Sequence, residues 1–274
     1  MHSLDEIRRR GEAFLEDVSR EYHAAHAGLK AGAELQPIYN RHAAAYGAEA
    51  MAAVRAAFTA AAPGSDEHRS ARMLLDWLVG SEVGRQLAAV EEREIAWERH
   101  ASITLPDGSA EPYQRAPITI ANTTDAAARN ALDDARAALA ASGHAPLKQE
   151  RLQRERDLVG AMGIADGYIP TFEALSGISL SALKAQCEAF LRDTDAMWRD
   201  VKPAFLKARL GLTTAEPTRA DAGALFRARE FDAAFPADAM EREVRRHVTE
   251  MGASPDAGGR VDLGMGEAAG LAEL

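Results

Sequence analysis

The sequence predicts a mainly α protein, a multi-helix bundle with a single β-hairpin. Three observations predict it. Apolar residues make up 47% of the chain and aromatics only 6%, and much of the apolar share is alanine, the residue that loses least on entering a helix. Apolar positions recur at three- and four-residue spacing through most of the stretch from Leu4 to Met251. A turn signal between β-rich runs occurs once, at Asp107 and Gly108.

Ser3 and Glu6 read as a capping box. Leu4, Ile7, Gly11, Phe14, Leu15, Val18, Tyr22, Ala25 and Leu29 then mark one helical stripe, ending near Gly28 to Gly32. A second helix starts near Glu34, with Leu35, Ile38, Tyr39, His42 and Tyr46 on one face, and runs to the break at Pro63 and Gly64. The short link makes these two an antiparallel hairpin. Ser65 opens a third helix, with Asp66 and Glu67 placed well against its dipole. It carries Met73, Leu74, Trp77, Leu78, Leu87, Ala88 and Ile95 and reaches His100. Gly80 and Gly84 inside it each cost roughly 1 kcal/mol against Ala. They predict close approach of a neighbour, or a kink.

The hairpin pairs Ile103 to Leu105 with a second run through Tyr113 and Ala116 to Ile120, which Pro112 and Pro117 confine to an edge. Helix resumes near Asp125 and runs to Ser142 and Gly143. Another runs from Pro146 to Met162, followed by a loop from Gly163 to Pro170 and a short turn from Phe172 to Leu175. The clearest helix spans Ser181 to Leu210, with Leu183, Cys187, Phe190, Leu191, Met197, Trp198, Val201 and Phe205 on one face and a kink expected at Pro203. Thr218 to Arg229 reads as a short helix or irregular stretch. A last helix begins at Pro236, with Met240, Val244, Val248 and Met251 inward. The expected division is one helical domain over 1–251, built from a hairpin (1–62), a long helix with the β-hairpin (66–143) and a helical block (146–251). Residues 252–274, rich in Gly and small side chains, read as a disordered tail.

With 32 basic and 42 acidic residues, the formal charge is −10. The densest basic run, Arg8 to Arg10, points three ways around a helix, so nucleic acid is excluded as an expected partner. The single cysteine, Cys187, allows no intrachain disulfide and fits a reducing compartment. Met1 to Glu6 is polar and unlike a secretion signal, and no run approaches a membrane span. The expected location is the cytoplasm, with no membrane partner. The sequon at Asn122 is then a chance match.

No catalytic, cofactor or metal residue is nominated. The His-Glu-x-x-His pattern of a catalytic zinc helix is absent. His23 and His26, with Glu21 nearby, have the closest spacing, but no third ligand is evident and catalytic zinc takes three. Asp66, Glu67 and His68 read as a helix start. His42 and His247, on apolar stripes, read as half-buried, hydrogen-bonded side chains, and Cys187 as a buried, inert thiol. Gly264 and Gly266 lack the strand and helix of a dinucleotide fingerprint. The acids at Glu91, Glu92, Glu94, Asp133 and Asp134 read as solvated helix faces.

From Met73 onward the order of pieces resembles the helical zinc metallopeptidases of the oligoendopeptidase F and thimet oligopeptidase type. The carboxypeptidase Taq proteins are cousins in fold. The pieces are the long helix to His100, the turn at Leu105 to Gly108 and the run from Pro117 to Asn122. Then come Asp125 to Leu132, the Gly163 to Leu175 segment (Gly-x-x-x-Gly-Tyr-Ile-Pro-x-Phe-x-Ala-Leu), Phe231 to Pro236, and Val248 to Gly252. The resemblance implies the amino-terminal half of a thermolysin-like-clan fold, a helical wall beside a peptide cleft. The zinc motif of such enzymes lies in a catalytic half outside these residues, so no zinc ligand carries over and zinc is expected only in a full-length relative. The expected function is that of a non-catalytic portion, inactive in peptide hydrolysis by itself, with a separate catalytic half-chain or peptides as partners. The alternative is a self-standing helical interaction or scaffold protein. A third reading gives the chain its own site, with metal at His23 and His26.

Overall fold

The computed structural model describes residues 3–212 and 216–259. The helices are Leu4–His26 (α1), Leu35–Arg41 (α2), Ala43–Tyr46 (α3), Ala48–Ala60 (α4) and Asp66–His100 (α5). The strands Ser102–Thr104 (β1) and Ala110–Pro112 (β2) follow. Then come Ala116–Asn122 (α6), Ala126–Leu139 (α7), Ala145–Ala161 (α8), Tyr168–Ser176 (α9), Leu180–Leu210 (α10), Arg219–Phe226 (α11) and Met240–Glu250 (α12). A π-helical turn, Ala140–His144, joins α7 to α8, and 3₁₀ turns cover Arg229–Ala234 and Ala237–Ala239. The described chain is thus mainly helical with one two-stranded antiparallel hairpin. It divides into two compact units, Met1–Ser102 with Ala137–Asp200, and Ile103–Arg136 with the chain from Val201 onward.

The first unit is built on α5. Its Leu74, Leu75, Leu78, Val79, Val83, Leu87 and Ala88 are buried, and α2, α4, α8 and α9 pack along it. Side-chain caps start both α1 and α5. Ser3 Oγ accepts the Glu6 N–H at 3.2 Å, and Ser65 Oγ accepts the His68 N–H at 3.1 Å. Phe14 of α1 lies among the rings of Tyr39 (5.1 Å), Tyr46 (5.3 Å) and Trp77 (6.3 Å). The Tyr46 hydroxyl donates to the Tyr39 carbonyl, and burial pushes the Tyr39 hydroxyl up to about 12.

The expected second helix is three helices, broken at His42 and at Gly47. Leu15, Leu29 and Met73, placed on inward stripes, are exposed. Of the two glycines in α5, Gly84 does admit a neighbour: a Cβ there would lie 2.3 Å from the Tyr39 hydroxyl. Gly80 does not, since a Cβ there meets nothing within 4 Å. The break expected at Ser142 and Gly143 is a π turn inside continuous helix. The cause is packing within the first unit: a Cβ on Gly143 would sit 2.2 Å from Trp97 Nε1, and the Trp97 ring stacks on His144 at 4.8 Å. The turn expected at Phe172 to Leu175 is the helix α9, ended by Gly177 in the left-handed region at φ 72°.

In the second unit the hairpin's second strand is Ala110–Pro112, and the run expected as strand, Ala116 to Ile120, is helix. Pro117 sits in the first turn of α6, where its missing N–H leaves no bond unmade. Ala116 and Ile120, one turn apart, are both buried, and α11 packs on α6. Thr218 and Asp221 form a capping box at the start of α11. Arg129, 1% exposed, donates to Asp221 and to the carbonyls of Thr123 (2.9 Å) and Thr124 (3.2 Å). The last helix begins at Met240 rather than Pro236. The expectation of a disordered tail falls largely on residues 260–274, outside the described residues, as do Gly264 and Gly266.

Candidate functional site

The candidate site is the apolar face of α10 from Leu183 to Trp198. Ser179 caps the helix, its Oγ accepting the Ala182 N–H at 3.3 Å. The ion pairs Lys184–Glu188 (3.7 Å) and Asp195–Arg199 (2.8 Å) brace its flanks one turn apart. Leu183, Cys187, Phe190, Thr194 and Met197 follow at alternating steps of four and three. This 3.5-residue repeat is the spacing of a seam that meets another helix.

The sequence places this stripe inward, with Cys187 buried. The structure overturns both expectations: Phe190 is 66% exposed, Leu191 64% and Met197 62%, and Leu183, Trp198 and Cys187 are exposed too. Among the described residues of the first unit no other helix packs along Leu180 to Asp200. Periodicity identifies an apolar face, but not what covers it. The same correction applies to α12, where Met240, Val244 and Met251 are exposed and Val248 is half-buried. The polar flanks of α12 carry Glu241–Arg245 (2.8 Å) and Glu243–Arg246 (2.7 Å).

The histidines scatter. His23 and His26 are both exposed, and His26 Nδ1 lies 2.9 Å from the Tyr22 carbonyl. Glu21 is engaged elsewhere, accepting from Lys30 at 2.7 Å and from the Glu34 N–H at 2.6 Å. His42 is half-buried as expected, its Nε2 2.9 Å from Asp17 Oδ2. That contact comes first among those holding the Asp17 carboxyl below the usual carboxylate range. His247 is exposed, against expectation. His68 lies in the first turn of α5, where a helix start was expected, with its ring 4.6 Å from Phe58. Among the described residues no three His, Cys, Asp or Glu side chains group to hold a metal ion. Among them, too, no helix is long and apolar enough to cross a membrane.

Two pockets deserve description. In the second unit, about 260 Å³ is lined by Arg129, Arg209, Arg229 and Glu230, with Ala228 at φ 51° beside them. The guanidiniums there are already committed. Arg129 holds Asp221, Arg209 pairs with Glu230 at 2.5 Å, and Arg229 donates to the Ala121 carbonyl at 2.9 Å. In the first unit, about 140 Å³ opens between α5, α8 and α9. Asp76, Val79, Gly80 and Val83 line it from α5, Glu155 and Val159 from α8, and Tyr168, Thr171, Phe172 and Leu175 from α9. No sequence motif points to this pocket. The only hint is the Gly-Tyr-Ile-Pro segment, which becomes the first turn of α9.

Comparison with protein-family models, with curated proteins and with solved structures finds no match.

Proposed function

We propose that this chain is the amino-terminal, non-catalytic portion of an oligoendopeptidase-like zinc-peptidase fold, a helical scaffold whose α10 face receives a helix of the portion that carries the catalytic chemistry. The observation that carries the reading is the exposed seam. Side chains as large as Phe190, Leu191, Met197 and Trp198 on one helix face gain from burial about 1.5 to 3 kcal/mol each, and their repeat has the period of helix-on-helix packing. The succession of the long helix α5, the turn at Asp107 and Gly108, and the Gly163 to Leu175 segment adds support from the resemblance. A cytoplasmic setting fits the exposed Cys187, which a reducing compartment keeps as a thiol.

The test is elemental analysis for zinc together with a fluorogenic-peptide assay on the purified chain. The reading expects neither bound zinc nor hydrolysis. Chelator-sensitive hydrolysis by this chain would overturn it. A second reading, a self-standing helical interaction protein, is favoured by the core of the first unit, where Phe14 is enclosed by Tyr39, Tyr46 and Trp77 without help from another chain. Under that reading the chain alone unfolds in one sharp transition and binds little apolar dye.

A further inference from the structure

We infer that the partner of the α10 face is an amphipathic helix edged with Lys or Arg. The inference rests on the reading that this face receives a helix, and it names the chemistry of that helix.

From Leu183 to Asp200 every residue of α10 is exposed except Ala189 and Thr194, which are half-buried. Helical spacing sets what borders the apolar stripe. Asp193 and Asp200 follow the seam residues Phe190 and Met197 by three positions, which places them along one edge. Glu188 and Asp195 precede Leu191 and Trp198 by three positions, which places them along the opposite edge. Arg192 and Arg199 fall on the side of the helix away from the stripe. Lys184 is the one base at the seam from Leu183 to Asp200, and it sits at the amino-terminal end, 3.7 Å from Glu188. Asp195 is met by Arg199 at 2.8 Å, whereas Asp193 and Asp200 form no ion pair among the described residues.

An apolar seam between two acidic edges selects among occupants. The 3.5-residue repeat suits a helix rather than an extended segment. A helix whose own edges carry Lys or Arg buries its seam on this one and meets opposite charge on both sides. A second copy of the face would set the same four carboxylates against these, and an anionic lipid surface would be repelled in the same way.

The test is calorimetric titration of the full chain with two synthetic peptides of about three heptads. Both carry Leu along the seam; one has Lys and the other Glu at the positions flanking it. Each repels its own kind, so neither peptide is lost to self-association. We expect saturable binding of the Lys peptide, at least about tenfold tighter than the Glu peptide at low salt, with the difference shrinking as salt is added. Asp193→Asn with Asp200→Asn should remove most of that difference. Glu12→Gln with Asp134→Asn, the same change of net charge at exposed positions elsewhere, should leave it intact. Phe190→Ser with Met197→Gln should abolish binding of both peptides without lowering the melting temperature, since both side chains are exposed. Equal binding of the two peptides, lost in the seam variant, would overturn the inference and leave the docking face standing. Binding of neither, or binding that the seam variant does not weaken, would overturn the docking face and the inference together. A dimer in analytical ultracentrifugation that the seam variant dissociates would assign the face to a second copy, against the inference.

Discussion

Arg129 and Asp221, 92 positions apart, form a buried ion pair in which each partner also ties down a helix end. Arg129 reaches from α7 to the carbonyls of Thr123 and Thr124 that follow α6. Asp221 accepts the Thr218 N–H at 2.8 Å and the Thr218 hydroxyl at 3.0 Å, closing the cap of α11. Removing one member of such a pair strands the other charge in a dry interior. Arg129→Met is therefore expected to destabilise the second unit by about 3 to 5 kcal/mol, as read by urea denaturation. A loss below the error of the fit would mean that Asp221 is not held as described.

The same pair sets an acid limit. Burial alone would raise the Asp221 carboxyl, but the hydrogen bonds from Thr218 and Arg129 outweigh burial and hold it below the usual carboxylate range. A depressed value in the folded state gives stability that is present above the unfolded value, about 3.9, and is lost as pH falls through the folded one. Stability plotted against pH should therefore fall on the acid side of about 4, and Asp221→Asn should flatten that limb while lowering the plateau at neutral pH. An acid limb of unchanged slope in the variant would assign the loss to other carboxylates.

The two glycines of α5 should respond oppositely to the same substitution. Gly84→Ala drives a Cβ toward the Tyr39 hydroxyl and is expected to cost about 1 to 3 kcal/mol. Gly80→Ala meets open space and is expected to stabilise the helix by up to roughly 1 kcal/mol. Melting temperatures moving in the same direction would contradict the packing of α5 against Tyr39.

Thr171→Val removes a buried hydroxyl that has no partner and keeps the side chain's shape. It is expected to raise stability by about 1 kcal/mol, measured by thermal unfolding. A destabilised variant would mean that the hydroxyl is satisfied in solution.

Much of the fold is legible in the sequence. Ser3 and Ser65 announce their helices through side-chain caps, the apolar spacing of α1 predicts its buried face, that of α5 predicts Leu74, Leu78, Leu87, Ala88 and Ile95 but misses Leu75, Val79, Val83 and Val90, and Asp107 with Gly108 locates the hairpin. The misses share one cause, which is that local pattern does not reveal neighbours. Pro117, Ile118 and Ile120 look like an edge strand, yet Pro117 also suits a first helical turn, and burial of Ala116 and Ile120 one turn apart decides for helix. Gly143 looks like a helix end until Trp97 is seen against it. The stripe of α10 predicts a buried face, and nothing in its residues says that no helix of the first unit covers it. The pocket beside Thr171 has no signature beyond the Gly-Tyr-Ile-Pro segment, because it depends on three helices meeting.

The most direct test of the central claim, that the α10 face is an open docking surface, is a titration with an apolar fluorescent dye. It would compare the chain with a variant carrying Phe190→Ser, Leu191→Gln, Met197→Gln and Trp198→Gln. The account predicts strong dye binding by the parent, loss of most of it in the variant, and a melting temperature that does not fall, since these side chains are exposed. Unchanged dye binding, or a variant that unfolds, would show that the face is already covered and would contradict the account.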